Sequence, residues 1–178
     1  MGAISIPHLI FQGRHGVPAD PWLAGSSWGH LHRHFGLDRK SGLSEAIGDR
    51  APPEQVVHKG VAPNVDFVST GALSPYPAEL LASPNLGHVL QKYESMYDVV
   101  LIDTAPVLAV SDALTIAEHA GAIFHIVRSG VSTVAEIEES VKRINQAGYA
   151  VTGVVFNDLK PRYAQYGYGS RYEKYLHA

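Results

Sequence analysis

Four short apolar runs alternate with segments of helical periodicity, and this alternation limits the fold more than any other feature of the sequence. The runs span residues 65–69, 99–102, 122–127 and 151–156. Such near-continuous apolar runs are typical of strands buried on both faces. Strands that alternate with helices form mainly parallel sheets through right-handed crossovers. The sequence therefore predicts an α/β fold, a mainly parallel sheet flanked by helices.

Helices are expected between these runs, over residues 77–94 with a restart at Ser83, 112–120 and 134–147. Thr133 and Glu136 match a capping box at the start of the last segment, and Gly148 follows its end as a stop signal. Its apolar residues recur at spacings of three and four, which predicts one buried stripe. The stripe consists of Val134, Ile137, Val141 and Ile144.

The two ends of the chain differ in character from the middle. Residues 1–29 show no sustained period of 2 or 3.6, which indicates mostly irregular structure. The tail, residues 161–178, alternates aromatic, glycine and basic residues. The domain prediction is an irregular segment over 1–29, an α/β domain over 30–160 and a tyrosine-rich tail over 161–178. The tail tyrosines are Tyr163, Tyr166, Tyr168, Tyr172 and Tyr175.

Composition excludes several classes of function. The 178 residues are 46% apolar, which is enough for one core-forming domain. The net charge of -3 and pI near 6.3 argue against a nucleic-acid partner. Without cysteine the chain has no disulfide, thiolate catalysis or cysteine zinc site, which fits the cytoplasm. No apolar run approaches the roughly 20 residues of a membrane helix, so no transmembrane segment is expected in this chain.

Asp103 is the clearest candidate for chemistry. It ends an apolar run that begins at Val99, and ligands of open parallel sheets bind beyond the carboxyl ends of strands. An apolar strand that ends in Asp is the form of a Walker B segment, whose carboxylate orients hydrated magnesium beside nucleotide phosphates. An Asp that caps a loop or the next helix is the equally weighted alternative.

Three further features have competing interpretations. His30, His32 and His34 would share one face of a strand and could bind a metal, but no acidic or cysteine partner has matching spacing. Asp112 could take part in a nucleotide-dependent switch, although an Asp at a helix start more often interacts with the helix dipole. The tail tyrosines could accept phosphate or could pack as an aromatic tail on a neighbouring surface.

An ordered set of motifs over residues 31–175 carries a family resemblance. It includes Leu31-His32-Arg33-His34-Phe35-Gly36-Leu37, Gly42-Leu43-Ser44-Glu45, Phe67-Val68-Ser69-Thr70-Gly71, Pro77-Ala78-Glu79-Leu80-Leu81, residues 97–112, Val127-Arg128, Gly148, Gly153-Val154-Val155-Phe156-Asn157 and the tyrosine-rich tail. Together they resemble the bacterial tyrosine kinases (BY-kinases) of capsule and exopolysaccharide biosynthesis.

The resemblance implies a P-loop ATPase core of the MinD type that uses ATP and Mg²⁺. Asp103 would match the Walker B carboxylate and hold magnesium through water, while Asn157 and Arg128 would contact the nucleotide. The five tail tyrosines would be phosphorylated between neighbouring subunits. The implied partners are a polysaccharide co-polymerase of the inner membrane, other kinase subunits in a homo-oligomer and a tyrosine phosphatase, with the domain in the cytoplasm or peripheral at the membrane through its partner.

The sequence also departs from the family. No Gly-x-x-x-x-Gly-Lys-Ser/Thr occurs, and the stretch before Leu31 is not an apolar strand that ends in an acid. We therefore expect a P-loop fold without its first strand and phosphate loop, from a truncated, frameshifted or mis-started relative. Autonomous activity would be doubtful, and apolar faces would be left uncovered. The alternatives are a non-catalytic regulatory remnant that an intact kinase phosphorylates, and a MinD- or ParA-like ATPase.

Overall fold

The computed structural model describes residues 31–159 together with the backbone of residues 8–12. The described chain divides into two compact units, one ending at Ala120 and the other beginning at Gly121. The boundary at residue 120 lies inside the span 30–160 for which the sequence predicts one domain. The three-part division drawn from the sequence stays a prediction, since the tail and most of residues 1–29 lie outside the described residues.

The first unit contains a four-stranded sheet in the order β2-β3-β1-β4. The strands are β1 (His8–Gln12), β2 (Val57–Ala62), β3 (Val65–Val68) and β4 (Val99–Asp103). β1 pairs antiparallel with both β3 and β4, so these two strands run parallel to each other. Their carboxyl ends therefore meet at one edge of the sheet.

β1 and β2 were not predicted from the sequence. β1 lies inside the segment expected to be mostly irregular, and the sequence did not predict a strand at residues 8–12. Its pairing partners are distant in the chain, so no local period marks it. β2 joins β3 through a tight turn at Asn64, which has a φ of 57°. Gly60, with a φ of 62°, lies where the register of this hairpin shifts, so the apolar alternation of β2 is broken.

One face of this sheet carries the main core. It is covered by α2 (Leu43–Ile47), the 3₁₀ turn Pro53–Val56, α3 (Pro77–Leu81), α4 (Pro84–Met96) and α5 (Asp112–Ala117). The buried side chains of this core are Leu43, Ala46, Ile47, Val56, Val68, Leu81, Leu86, Val89, Leu90, Tyr93 and Ile116. The expected helix restart is present: the Asn85 N–H donates to Ser83 Oγ at 3.2 Å, which begins α4.

The opposite face is covered only in part. α1 (Leu31–His34) places Leu31 on Phe67 of β3, and the ring of Phe35 lies 5.1 Å from that of Phe67. On β4 the same face is open, because Val99 and Leu101 are 42% and 48% exposed. The expectation of uncovered apolar faces is met on this strand.

The second unit is a βαβ element. β5 (Phe124–Arg128) and β6 (Gly153–Asn157) pair in parallel, with α6 (Val134–Gln146) as the connection. The predicted capping box is present: Thr133 Oγ1 accepts from the Glu136 N–H at 3.2 Å, and Glu136 accepts from the Thr133 N–H at 2.8 Å. Of the predicted apolar stripe only Ile144 is fully buried, and Val134 is exposed. None of the described helices has the length and apolar character needed to cross a membrane.

Candidate functional site

Asp103 is the last residue of β4, at the carboxyl edge of the first sheet. Its side chain keeps contact with solvent, and within the described part of the chain no hydrogen-bond donor approaches its carboxylate. Protein atoms nevertheless crowd the carboxyl group, and this burial raises its pKa to about 6. At neutral pH Asp103 is therefore mainly ionised and available for a cation or its hydration shell.

The loop that follows β3 lies at the same edge as Asp103. Leu9 of β1 is opposite both Val68 and Ile102, so Ser69 and Asp103 are the next positions on two parallel strands. One strand separates them, which corresponds to roughly 10 Å. The loop of residues 69–72 therefore forms the neighbouring part of the edge where a ligand of this fold would bind.

Glu45 of α2 holds this loop in place. Its Oε2 accepts from the Gly42 N–H at 2.8 Å and from the Ala72 N–H at 3.3 Å. Its Oε1 accepts from Ser44 Oγ at 3.0 Å and pairs with Arg50 at 3.3 Å. The carboxylate thus joins α2 to the loop after β3 through charge-assisted bonds.

Two glycines allow this close approach. A Cβ at Gly42 would collide with Ser69 O and the Gly71 backbone nitrogen, and a Cβ at Gly71 would collide with Glu45 Oε2. Gly71 also has a φ of 81°, which side-chain-bearing residues rarely adopt. In the sequence, Glu45 and Gly71 are recognisable only as parts of motifs. The available signal was the spacing Gly-x-x-Glu, which places a carboxylate at the third position of a helix.

The direction of β1 bears on phosphate binding. His8 is opposite Asp103, whereas Gln12 is opposite Val99 at the other end of β4. A phosphate loop follows the carboxyl end of its strand and leads into a helix. The carboxyl end of β1 lies at the edge away from Asp103, so β1 does not have the direction of the strand that precedes a phosphate loop at that edge.

Asp112 begins α5 and is only 4% exposed. Its Oδ2 has no hydrogen-bond partner within the described residues, and burial raises the pKa of its carboxyl group. The preceding residue, Ser111, makes no side-chain cap. A carboxyl group at a helix start benefits from the helix dipole, as the sequence analysis expected, but here desolvation opposes that benefit.

Arg128 and Asn157 are register partners at the carboxyl ends of β5 and β6. Arg128 Nε donates to Asp158 Oδ2 at 3.0 Å, and Asn157 Oδ1 accepts from the Asp158 N–H at 2.8 Å. The second unit therefore brings the two predicted nucleotide contacts together, linked by Asp158. Asp158 was not predicted from the sequence; its φ of 57° marks a turn directly after the strand.

The remaining predicted residues fall into two groups. The tail tyrosines Tyr163, Tyr166, Tyr168, Tyr172 and Tyr175 lie outside the described residues, as does His30. His32 and His34 lie on a helix, not a strand; His32 is buried and His34 exposed, so they share no face. Among residues 31–159 no group of three or more His, Cys, Asp and Glu side chains could hold a metal ion.

Comparison with known proteins gives relatives at high identity. EpsB of Ralstonia solanacearum is 45% identical over 147 residues, which are 83% of this chain and 20% of EpsB. The tyrosine-protein kinase wzc of Salmonella typhimurium is 36% identical over 143 residues, 79% of this chain and 20% of that protein. The chain thus spans about a fifth of the length of the curated relatives that it matches. No protein-family model matches the chain.

Solved structures of tyrosine kinase domains also match this chain. The kinase domain of Escherichia coli tyrosine kinase ETK matches with a TM-score of 0.69 and 32% identity, over 73% of this chain and 51% of that chain. The BceF tyrosine kinase domain matches with a TM-score of 0.64 and 41% identity, over 73% of this chain and 52% of that chain. EpsB is likewise named as a tyrosine-protein kinase. The chain therefore belongs to the bacterial tyrosine kinases and has the α/β fold of part of their P-loop kinase domain.

Proposed function

We propose that this chain is part of the kinase domain of a bacterial tyrosine kinase that serves exopolysaccharide or capsule synthesis and export. The chemistry of the family is transfer of the ATP γ-phosphoryl group to tyrosines in the tail of a neighbouring subunit. The observation that carries the proposal is Asp103, a solvent-accessible carboxylate at the carboxyl end of β4 in a chain with kinase relatives. From this chain alone we expect little or no kinase activity.

The carboxylate of Asp103 is suited to binding a hydrated magnesium ion. Mg²⁺ retains several of its waters in proteins and takes oxygen ligands, so a single accessible carboxylate can hold the hydrated ion. Asp103 meets this requirement because no described residue already donates to its carboxylate, and its pKa of about 6 leaves it ionised at neutral pH. The role proposed for Asp103 is to orient a water of the magnesium shell, and the ion would supply charge neutralisation for phosphate.

The residues of this chain do not provide a binding site for the phosphates of ATP. The sequence contains no Walker A lysine with its following Ser or Thr, and β1 runs in the wrong direction to supply the loop. Charge-assisted hydrogen bonds are worth about 1.5–3 kcal/mol each, and about 1.4 kcal/mol changes affinity tenfold, so the loss of several weakens binding by orders of magnitude. Arg128 and Asn157 are proposed to lie near the base, where they add little to phosphate affinity.

We propose that the tail tyrosines Tyr163, Tyr166, Tyr168, Tyr172 and Tyr175 are phosphate acceptors. Their basic neighbours support this role, because a basic side chain attracts a phosphorylated product. The proposed partners are other kinase subunits, a polysaccharide co-polymerase of the membrane and a tyrosine phosphatase. The domain would act in the cytoplasm and reach the membrane through the co-polymerase.

Calorimetry tests the nucleotide part of the proposal. The purified chain, shown to be folded by circular dichroism, is titrated with magnesium-ATP beside Asp103→Asn and beside the same titration in EDTA. We expect no heat of binding in the micromolar range for either protein. Micromolar binding that Asp103→Asn abolishes would contradict the expectation and establish a phosphate site outside the described residues.

Mass spectrometry tests the acceptor part. The chain is incubated with magnesium-ATP and an active kinase domain of the family, and its phosphorylated peptides are mapped. Phosphate is expected within residues 161–178. A matched reaction without the added kinase should give none. A tail that stays unmodified beside a kinase that phosphorylates its own tail would refute the acceptor role.

A further inference from the structure

Tyr76 differs from the other tyrosines of the described residues in the state of its side chain. Tyr93 is fully buried, and its hydroxyl donates to a backbone carbonyl at 2.9 Å. The hydroxyl of Tyr97 donates to Asp66 at 2.8 Å, and Tyr149 is half-buried. Tyr76 is 65% exposed, and its hydroxyl has no hydrogen-bond partner among residues 31–159. It is therefore the tyrosine of this part of the chain that another molecule can reach without unfolding it.

The loop that carries Tyr76 is fixed at both ends. At its start, the Ala72 N–H donates to Glu45 Oε2 at 3.3 Å. At its end, Pro77 is buried and begins α3. Between them, Ser74 Oγ accepts from the Tyr76 N–H at 3.1 Å. The backbone on either side of Tyr76 thus has a defined course, and the side chain projects from it into solvent.

Two prolines keep Tyr76 out of regular secondary structure, since Pro75 precedes it and Pro77 follows it. A proline has no N–H for a strand ladder, and it disfavours the helical conformation of the residue before it. Tyr76 accordingly has a φ of -130° and a ψ of 65°, and α3 begins only after it. Because the two rings already restrict the backbone, an enzyme that binds this loop has little backbone entropy to remove.

We propose that Tyr76 is a second phosphate acceptor, separate from the tail, for an active kinase of this family. The inference rests on the proposed function, which supplies the kinase and its ATP. The Tyr76 hydroxyl oxygen forms a bond to the γ-phosphorus of ATP, and the bond from that phosphorus to the bridging oxygen of ADP breaks. ADP leaves and the phenol proton passes to solvent. The side chain gains about -1.5 to -2 charges at pH 7.

The fold accommodates a phosphate at Tyr76, because the modified side chain remains in water. The new charge needs no desolvation there, and it displaces no hydrogen bond of the hydroxyl. The same modification would place a charge inside the main core at Tyr93, and at Tyr97 it would bring a charge against the Asp66 carboxylate. In the folded chain we therefore expect phosphate on Tyr76 and not on Tyr93 or Tyr97.

Tryptic mapping tests this assignment, because residues 60–92 form one tryptic peptide with Tyr76 as its only tyrosine. The next peptide, residues 93–128, contains Tyr93 and Tyr97. The folded chain is incubated with magnesium-ATP and an active kinase domain of the family, and phosphate on the tail serves as the internal reference. We expect severalfold more phosphate on residues 60–92 than on residues 93–128, and none on either peptide without the added kinase.

Tyr76→Phe is the matched control, since it removes only the acceptor oxygen of an exposed side chain. It should abolish labelling of residues 60–92 and leave labelling of the tail unchanged. A phosphorylated tail beside an unmodified Tyr76 would overturn the assignment and leave the proposed function intact. Equal labelling of residues 60–92 and 93–128 would overturn it as well. Phosphate on Tyr76 with an unmodified tail would support Tyr76 and refute the acceptor role of the tail. If neither is modified beside a kinase that phosphorylates its own tail, both acceptor proposals are wrong.

Discussion

Gly71→Ala should destabilise the first unit by at least about 4 kcal/mol, from two separate causes. The first is the left-handed backbone at Gly71, with a φ of 81°, which costs a residue with a side chain about 1 kcal/mol. The second is the collision of the new methyl group with Glu45 Oε2 and its 2.5 Å approach to Ser44 Oγ. Glu45 must rotate away, and its bonds to the Gly42 and Ala72 N–H groups are lost, at about 1.5–3 kcal/mol for a bond to a charged group.

Gly36→Ala separates the two causes. Gly36 lies in the same unit with a φ of 66°, but a Cβ there has nothing within 4 Å. This variant should lose only the backbone cost of about 1 kcal/mol. Urea unfolding followed by circular dichroism measures both variants against the parent protein.

A difference of less than about 0.5 kcal/mol between the two glycine variants, the usual error of additivity, would refute the collision with Glu45 as a separate cause. A double-mutant cycle provides a second test. In the Glu45→Ala background the methyl group at position 71 no longer meets a carboxylate, so Gly71→Ala should cost less than in the parent protein, while its close approach to Ser44 Oγ remains. An undiminished cost in that background would mean that Glu45 is not the obstacle.

Three further predictions concern stability. Asp103→Asn should stabilise the protein by about 1 kcal/mol at pH 8, because the shift from 3.8 to about 6 corresponds to at most about 3 kcal/mol and solvent contact reduces it. Because the pKa is higher in the folded than in the unfolded protein, wild-type stability decreases as the pH rises from about 4 to about 6. Urea unfolding should therefore show that the stability gain of Asp103→Asn disappears below about pH 4. Thr133→Ala removes a cap from α6 and should cost about 1 kcal/mol, seen as faster amide exchange in its first turn. Tyr97→Phe removes a hydroxyl that donates to Asp66 at 2.8 Å and accepts from Lys59 at 2.7 Å, and should lower the urea midpoint by an amount equivalent to about 1 kcal/mol.

Patterns within short stretches of sequence were sufficient to predict the elements whose position depends on residues close together in the chain. The apolar runs predicted β3, β4, β5 and β6 to within two residues, and the capping signals at Ser83 and Thr133 located two helix starts. Asp103 follows from the same logic, since a carboxylate after an apolar run lies at a strand end whatever the rest of the fold does.

Features that depend on distant contacts were missed. β1 forms a strand because it pairs with both β3 and β4, and not because apolar and polar residues alternate along its five positions. Glu45 becomes important only when the loop around Gly71 folds against it. The predicted stripe of α6 is buried only at Ile144, since a helix can bury no more of its stripe than its neighbours cover. The kinase resemblance needed motif order over the whole chain, which single elements do not contain.

The placement of β1 between β3 and β4 has a consequence for synthesis. Ile10 pairs with Phe67 and with Leu101, more than fifty and ninety residues later in the chain. Translation at about 5–20 residues per second means that β1 leaves the ribosome about 5–20 seconds before its second partner. Within this sheet, β1 is therefore made before both of its partners, and until β4 appears a chaperone or another nascent chain can compete for it.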